Sequence, residues 1–151
     1  MAVTAYFYSN GLAHLLTRLK DIDFDTNTIK VMLTTNSYTP NQDTHEDKAD
    51  VTNEVTGTGY TAGGATLSGK SVTVTNNVIS FDANNPSWAN STITARRAVI
   101  YDDSGATDAD KALIGWIDFG EDKSSLSSTF QITFAAAGIG VITAANASGF
   151  P

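Results

Sequence analysis

The 151-residue chain reads as a mainly β domain: an antiparallel β-sandwich or barrel with one N-terminal α-helix. Three observations predict this. The first is Val72-Thr73-Val74-Thr75-Asn76-Asn77-Val78-Ile79-Ser80-Phe81, two alternating runs about an Asn-Asn pair. Asn tolerates the positive φ that a two-residue hairpin turn requires. That turn sets Val74 opposite Ile79 and Val72 opposite Phe81, so four apolar side chains share one face. Turn chemistry and hydrophobic pattern thus select the same register. The second is a succession of short apolar runs separated by turn signals, with no βαβ alternation. The third is composition. Only 17% of residues are charged, and Thr, Ser, Asn and Gly supply the polarity, which suits strands and tight turns.

The elements follow in order. Ser9-Asn10-Gly11 can cap a helix. Leu12, Leu15, Leu16 and Leu19 then recur at helical spacing, with Arg18 and Lys20 in the last turn, where cations suit the dipole. A helix is predicted over about residues 10–20, its leucine stripe packed on a sheet. Residues 21–27 are a turn. Residues 29–35 form a strand with Ile29, Val31 and Leu33 on one face. Residues 36–50 are a long polar loop containing Pro40, a length associated with function or mobility. A short strand is expected at residues 51–55 and a turn-rich connection with five glycines at residues 57–69. After the hairpin come strands at residues 92–101 and 113–119, joined by an acidic loop. Phe130, Ile132 and Phe134 alternate with Thr129, Gln131 and Thr133 as a further strand, and residues 141–143 are the last.

The length fits one domain over residues 1–151, long enough to bury about two-thirds of its unfolded surface without a metal or disulfide. With no cysteine, thiol catalysis and thiolate metal sites are excluded. Nine Lys and Arg against sixteen acids give a net charge of −7. That balance argues against nucleic acid, whose affinity rests on cationic contacts to phosphate. No run approaches the roughly 18 apolar residues of a membrane span, and the opening residues lack the basic and apolar regions of a secretory leader.

One string imitates a nucleotide site. Gly64-Ala65-Thr66-Leu67-Ser68-Gly69-Lys70-Ser71 matches G-x-x-x-x-G-K-[ST] at every fixed position. The phosphate cradle of such a loop is a helix N-terminus. Here the string leads into alternating Val and Thr, so it reads as a glycine-rich turn entering a strand. Asp21, Asp23 and Asp25 have the spacing of a calcium loop, but Thr26 stands where its glycine belongs and Met32 where its final acid belongs. His45 with Asp43, Glu46 and Asp47 has no pattern that fixes a coordination geometry. No Ser lies in a G-x-S-x-G elbow. No enzyme activity and no cofactor are expected. Trp88, Trp116 and Tyr60 are candidates for a sugar-stacking platform, though such rings more often anchor a core or an interface.

The second half carries an ordered series: Gly59-Tyr60-Thr61-Ala62-Gly63-Gly64, Trp88-Ala89, Ala95-Arg96-Arg97-Ala98-Val99-Ile100-Tyr101-Asp102, Leu113-Ile114-Gly115-Trp116-Ile117-Asp118-Phe119-Gly120, and Phe130-Gln131-Ile132-Thr133-Phe134. It resembles small virion structural proteins of tailed bacteriophages, some of them head decoration (cement) or tail-associated proteins. The resemblance spans about residues 27–145 and implies a pattern of strands and turns with no active-site residues. Together with the missing catalytic set and the apolar termini, it leads to the expectation of a capsid decoration protein, a homo-oligomer (trimer or dimer) that binds major capsid or other virion protein. It also implies a virion location after assembly in the host cytoplasm. A tail or baseplate component, or a carbohydrate-binding module for host attachment, are the alternatives. The apolar termini, residues 1–9 and 135–151, are candidate docking segments, because such surface without a partner invites aggregation. The candidate interface residues are Tyr6, Phe7, Tyr8, Trp88, Trp116, Ile139, Val141, Ile142 and Phe150.

Overall fold

The computed structural model describes residues 2–17 and 19–144. It is mainly β, with two open antiparallel sheets and one α-helix. The large sheet contains β1 (Thr4–Phe7), β2 (Ile29–Thr34), β3 (Ala65–Thr66), β6 (Ser87–Asp102) and β7 (Leu113–Gln131), in the order β1-β7-β6-β2-β3. The small sheet contains β4 (Ser71–Thr75), β5 (Val78–Asp82) and β8 (Gly140–Thr143), in the order β4-β5-β8. The helix α1 spans Ser9–Thr17.

Register explains how the large sheet buries both faces. Leu33, Ala98, Ile117 and Ala5 lie in one row across four strands, and Met32, Val99, Trp116 and Tyr6 in the next. Successive residues of a strand point to opposite faces. The Leu33 row therefore joins a core with Ile29, Val31, Ile100, Phe119 and Phe130. The Met32 row joins a second core with Tyr8, Tyr38, Tyr101 and Leu113. Strands buried on both faces read as continuous apolar runs, as Ala98-Val99-Ile100-Tyr101 does. The long polar loop helps to close the second face. It delivers Tyr38, whose hydroxyl meets those of Tyr8 and the His45 Nδ1, each at 2.9 Å.

The small sheet leans on the first core through Phe81, which packs edge-on to Phe24 and Phe7. Its hairpin has the expected register, Val74 opposite Ile79 and Val72 opposite Phe81. Asn76 and Asn77 both adopt positive φ, at 51° and 64°.

Four elements differ from expectation. The leucine stripe packs only in part: Leu12 and Leu15 border a small apolar recess with Phe7, Phe81 and Ile114, whereas Leu16 is 88% exposed and Leu19, beyond the helix, 74% exposed. The buried positions are Gly11 and His14. A Cβ at Gly11 would collide with the Leu113 carbonyl, so the backbone at this glycine is what meets β7 and leaves Leu16 facing outward. Lys20 lies beyond the helix and pairs with Asp47 at 3.1 Å, while Arg18 is outside the described residues. Residues 51–55 form no strand; only Glu54 bridges to Thr34. The strands expected at 113–119 and around Phe130 are one strand. β7 continues through a bulge opposite residues 95–97, where Gly120 takes a φ of 79°.

Candidate assembly interface

The two sheets do not close along one border. There, β1 and the floor of β7 face the segment of residues 132–141 across an apolar trough. Its larger part, about 630 Å³, is lined by Val3, Ala5, Ile117, Phe119, Phe130 and Phe134, among others. Its smaller part, about 360 Å³, continues between Phe7 and the Ile139-Gly140-Val141 run. Ala5, Ile117 and Ile139 border both parts. Among the described residues, Lys123 is the one charged residue on the lining. A trough so poor in ionisable groups has little with which to move protons or stabilise charge.

Local sequence builds each wall. On β1, alternation turns Ala5 and Phe7 toward the trough and Tyr6 to the opposite face, where it stacks on Trp116 at 4.8 Å. On the other wall, the turn at residues 135–138 reverses the chain at Gly138, with φ 99°. Close approach then matters at Gly140, where a Cβ would stand 2.6 Å from the Phe7 ring. That glycine lets the small sheet lie against β1.

Of the nine residues predicted as interface, Phe7, Ile139 and Val141 line the trough. Tyr6 and Trp116 lie along its border but turn their rings to the opposite face, where they stack and Trp116 joins the second core. Ile142 sits instead on the small sheet opposite Ile79. Tyr8 is fully buried in the second core, which corrects its assignment as an interface residue. The Tyr8 phenol is pushed far up by burial and by its bond to Tyr38. Trp88 is also core, 6% exposed and edge-on to Phe130. Phe150 lies outside the described residues. Val3 and Ala5 fall within the docking segment expected at residues 1–9, though not among the named interface residues; Phe119 and Phe134 were missed. Their signal was present as alternation in residues 117–119 and 130–134, but which face stays open depends on where the sheets part.

The sugar-stacking platform is not assembled. Trp88 and Trp116 are buried. The Tyr60 hydroxyl is engaged, donating to the Glu54 carboxylate at 2.8 Å and accepting from the Leu33 N–H at 2.9 Å.

The remaining motifs resolve into structural roles. Gly64, at φ 79°, passes so close to β2 that a Cβ would strike the Val31 carbonyl. Lys70 donates to the carbonyls of Asp25, at 2.9 Å, and Asn27, and Ser71 opens β4 rather than a helix. Asp23 accepts from the N–H groups of Asp25 and Thr26, capping its own turn. Those bonds to Thr26 hold its carboxyl below the usual range. His45 bonds Tyr38, and Asp47 caps a short 3₁₀ turn, Lys48–Asp50. Among the described residues, no group of three or more His, Asp or Glu is placed to hold a metal ion.

Beside the trough floor, Asp118 gathers the Nε groups of Arg96, at 2.8 Å, and Arg97, at 3.0 Å, and the Gly120 N–H at 2.7 Å. Burial raises this carboxyl's pKa. The Gly120 bond and the two guanidinium groups outweigh it and hold the group below the carboxylate range.

No family model, curated protein or solved structure matches the chain.

Proposed function

We propose that this chain is a virion structural protein, a capsid decoration protein that stabilises a phage head by seating an apolar segment of a capsid subunit in the open trough. One observation carries the reading. The trough runs over a β7 floor between residues 3–7 and 135–141, which belong to the two stretches, residues 1–9 and 135–151, whose apolar character called for a partner, and among the described residues its lining holds a single charge. The ordered series from Gly59 to Phe134 supports the virion assignment through its resemblance to phage structural proteins. A stable two-core β-body presenting one apolar recess suits a clamp better than a catalyst, because binding energy there comes from fit and desolvation.

Cryo-electron microscopy of the parent particle tests this. The expected result is density for this fold on the outer capsid surface, with the border between β1 and residues 132–141 against a capsid subunit. Density confined to the tail would move the protein to the tail or baseplate, and a trough facing solvent in the particle would remove the mechanism.

A further inference from the structure

We propose that two copies of this chain pair through β4, antiparallel, in a register centred on Thr73. The proposal does not rest on the capsid reading, since the β4 edge is separate from the trough.

β4 is an edge strand, and among the described residues its outer side has no backbone partner. Edges are normally protected by charge, proline or a bulge. Ser71-Val72-Thr73-Val74-Thr75 has none of these, and Val74 is 71% exposed at the outer end.

The hairpin fixes which groups point outward. A two-residue turn makes Thr75 and Val78 a hydrogen-bonded pair, and such pairs alternate along antiparallel strands. Thr73 therefore turns its N–H and C=O toward β5, while Val72 and Val74 turn theirs to the open edge. A two-fold axis at Thr73 sets Val72 against the partner's Val74, and Val74 against the partner's Val72. Each pair then exchanges two backbone bonds, and β-branched side chains meet across the new seam. The strand is nearly palindromic, so a second copy satisfies it without a register change. The uncharged edge strand β1 lacks that symmetry, because a two-fold between Ala5 and Tyr6 would pair a small side chain with a ring.

Charge does not oppose this edge. Two copies at −7 each repel, and approach is least opposed along a strand with no charged side chain, as β4 is. Lys70, at the head of β4, is turned back onto the carbonyls of Asp25 and Asn27. The pairing covers much less than the roughly 1,600 Å² of a standard stable interface. It is therefore weak in dilute solution and fills when copies are held close together, as on a shared scaffold.

The chain has no cysteine, which permits a direct test. In the proposed register Thr73 faces its own copy as a non-hydrogen-bonded pair, with a Cα spacing of about 4.5 Å, inside the disulfide range. Under mild oxidation of the otherwise unaltered full chain, Thr73→Cys is expected to give a covalent dimer at least about tenfold faster than Thr75→Cys, whose position faces residue 71 of the other copy. The double variant Ser71→Cys/Thr75→Cys should cross-link, and neither single variant should. Adding Val74→Lys to Thr73→Cys should bring its rate down to that of Thr75→Cys, with the thermal midpoint retained because Val74 is exposed. Equal rates for Thr73→Cys and Thr75→Cys would overturn the proposal. So would cross-linking of Thr73→Cys only to a Val141→Cys copy with growth beyond dimers, which would assign the edge to a head-to-tail contact with β8.

Discussion

Arg97 stands directly opposite Asp118 across β6 and β7, and its Nε lies 3.0 Å from the Asp118 Oδ2. Arg96 reaches the other oxygen at 2.8 Å. Neighbouring residues of a strand ordinarily point apart; the bulge at this position allows both to converge. Arg97 also donates to the Tyr38 carbonyl at 2.6 Å, so the pair ties the sheet to the covering loop. Asp118→Ala is expected to cost about 2–3 kcal/mol, because it leaves two guanidinium groups and the Gly120 N–H without their acceptor. Urea denaturation checks this. Combining the variant with Arg97→Ala should recover part of the loss, since the second change removes one stranded charge.

The buried tyrosines give an asymmetric expectation. The Tyr38 hydroxyl lies between Tyr8 and His45. Tyr38→Phe strands the buried Tyr8 hydroxyl and leaves the His45 Nδ1 only the longer bond from the Asn41 N–H, at 3.4 Å, and should cost about 1–3 kcal/mol, whereas Tyr8→Phe leaves the Tyr38–His45 bond intact and should cost about 1 kcal/mol or less. Equal losses in thermal or chemical denaturation would contradict this linkage.

His14 makes stability depend on pH. Its ring is buried, and its Nε2 has no partner among the described residues. Burial lowers its pKa from 6.5, Lys20 adds to that, and Glu46 and Asp47 oppose it. The unfolded chain therefore binds the proton first as pH falls. Stability from neutral His14 is complete above about 6.5 and is lost as pH falls toward the folded value. His14→Leu should flatten the slope of unfolding free energy against pH in that window. An unchanged slope would mean that another group titrates there.

The nucleotide-like string predicts a sharp contrast between two of its positions. Gly64→Ala should destabilise the fold by more than about 2 kcal/mol, because it combines left-handed backbone with a collision against β2. Lys70→Met should cost about 1–2 kcal/mol by leaving two carbonyls without their cation. Calorimetric titration of magnesium-ATP into the unaltered chain should show no heat of binding. Micromolar binding abolished by Lys70→Met would reverse this reading.

Legibility in the sequence tracked how local the determinant was. The β4–β5 register was readable because two asparagines and four apolar residues within ten positions settle it. The extents of β6 and β7 were not, since they depend on a bulge made by pairing between distant segments. The helix shows the limit most clearly. Its leucine spacing was correctly helical, yet a stripe states only that a face is apolar. Contact between Gly11 and Leu113, more than a hundred residues apart, decides which face turns inward. The trough was half legible for the same reason: its walls were apolar in sequence, but an open border is a property of two sheets that fail to meet.

That open border can be tested without disturbing the cores. Val3 is 61% exposed on one wall, and Val141 is partly exposed on the other. A carboxylate at either position stays solvated in the free protein, so Val3→Glu and Val141→Glu should leave the thermal midpoint within a few degrees of the unaltered chain. If the trough seats an apolar segment of capsid protein, the same carboxylate must be desolvated on binding. A penalty of about 2–3 kcal/mol corresponds to roughly 100-fold weaker attachment. Leu126→Glu, at an 80% exposed site away from the trough, should leave attachment unchanged. Co-sedimentation with particles lacking the native protein measures all three. Loss of binding by Leu126→Glu alone would place the contact at the exposed stretch of β7 around Leu126, and equal binding by all variants would leave the trough without its assigned role.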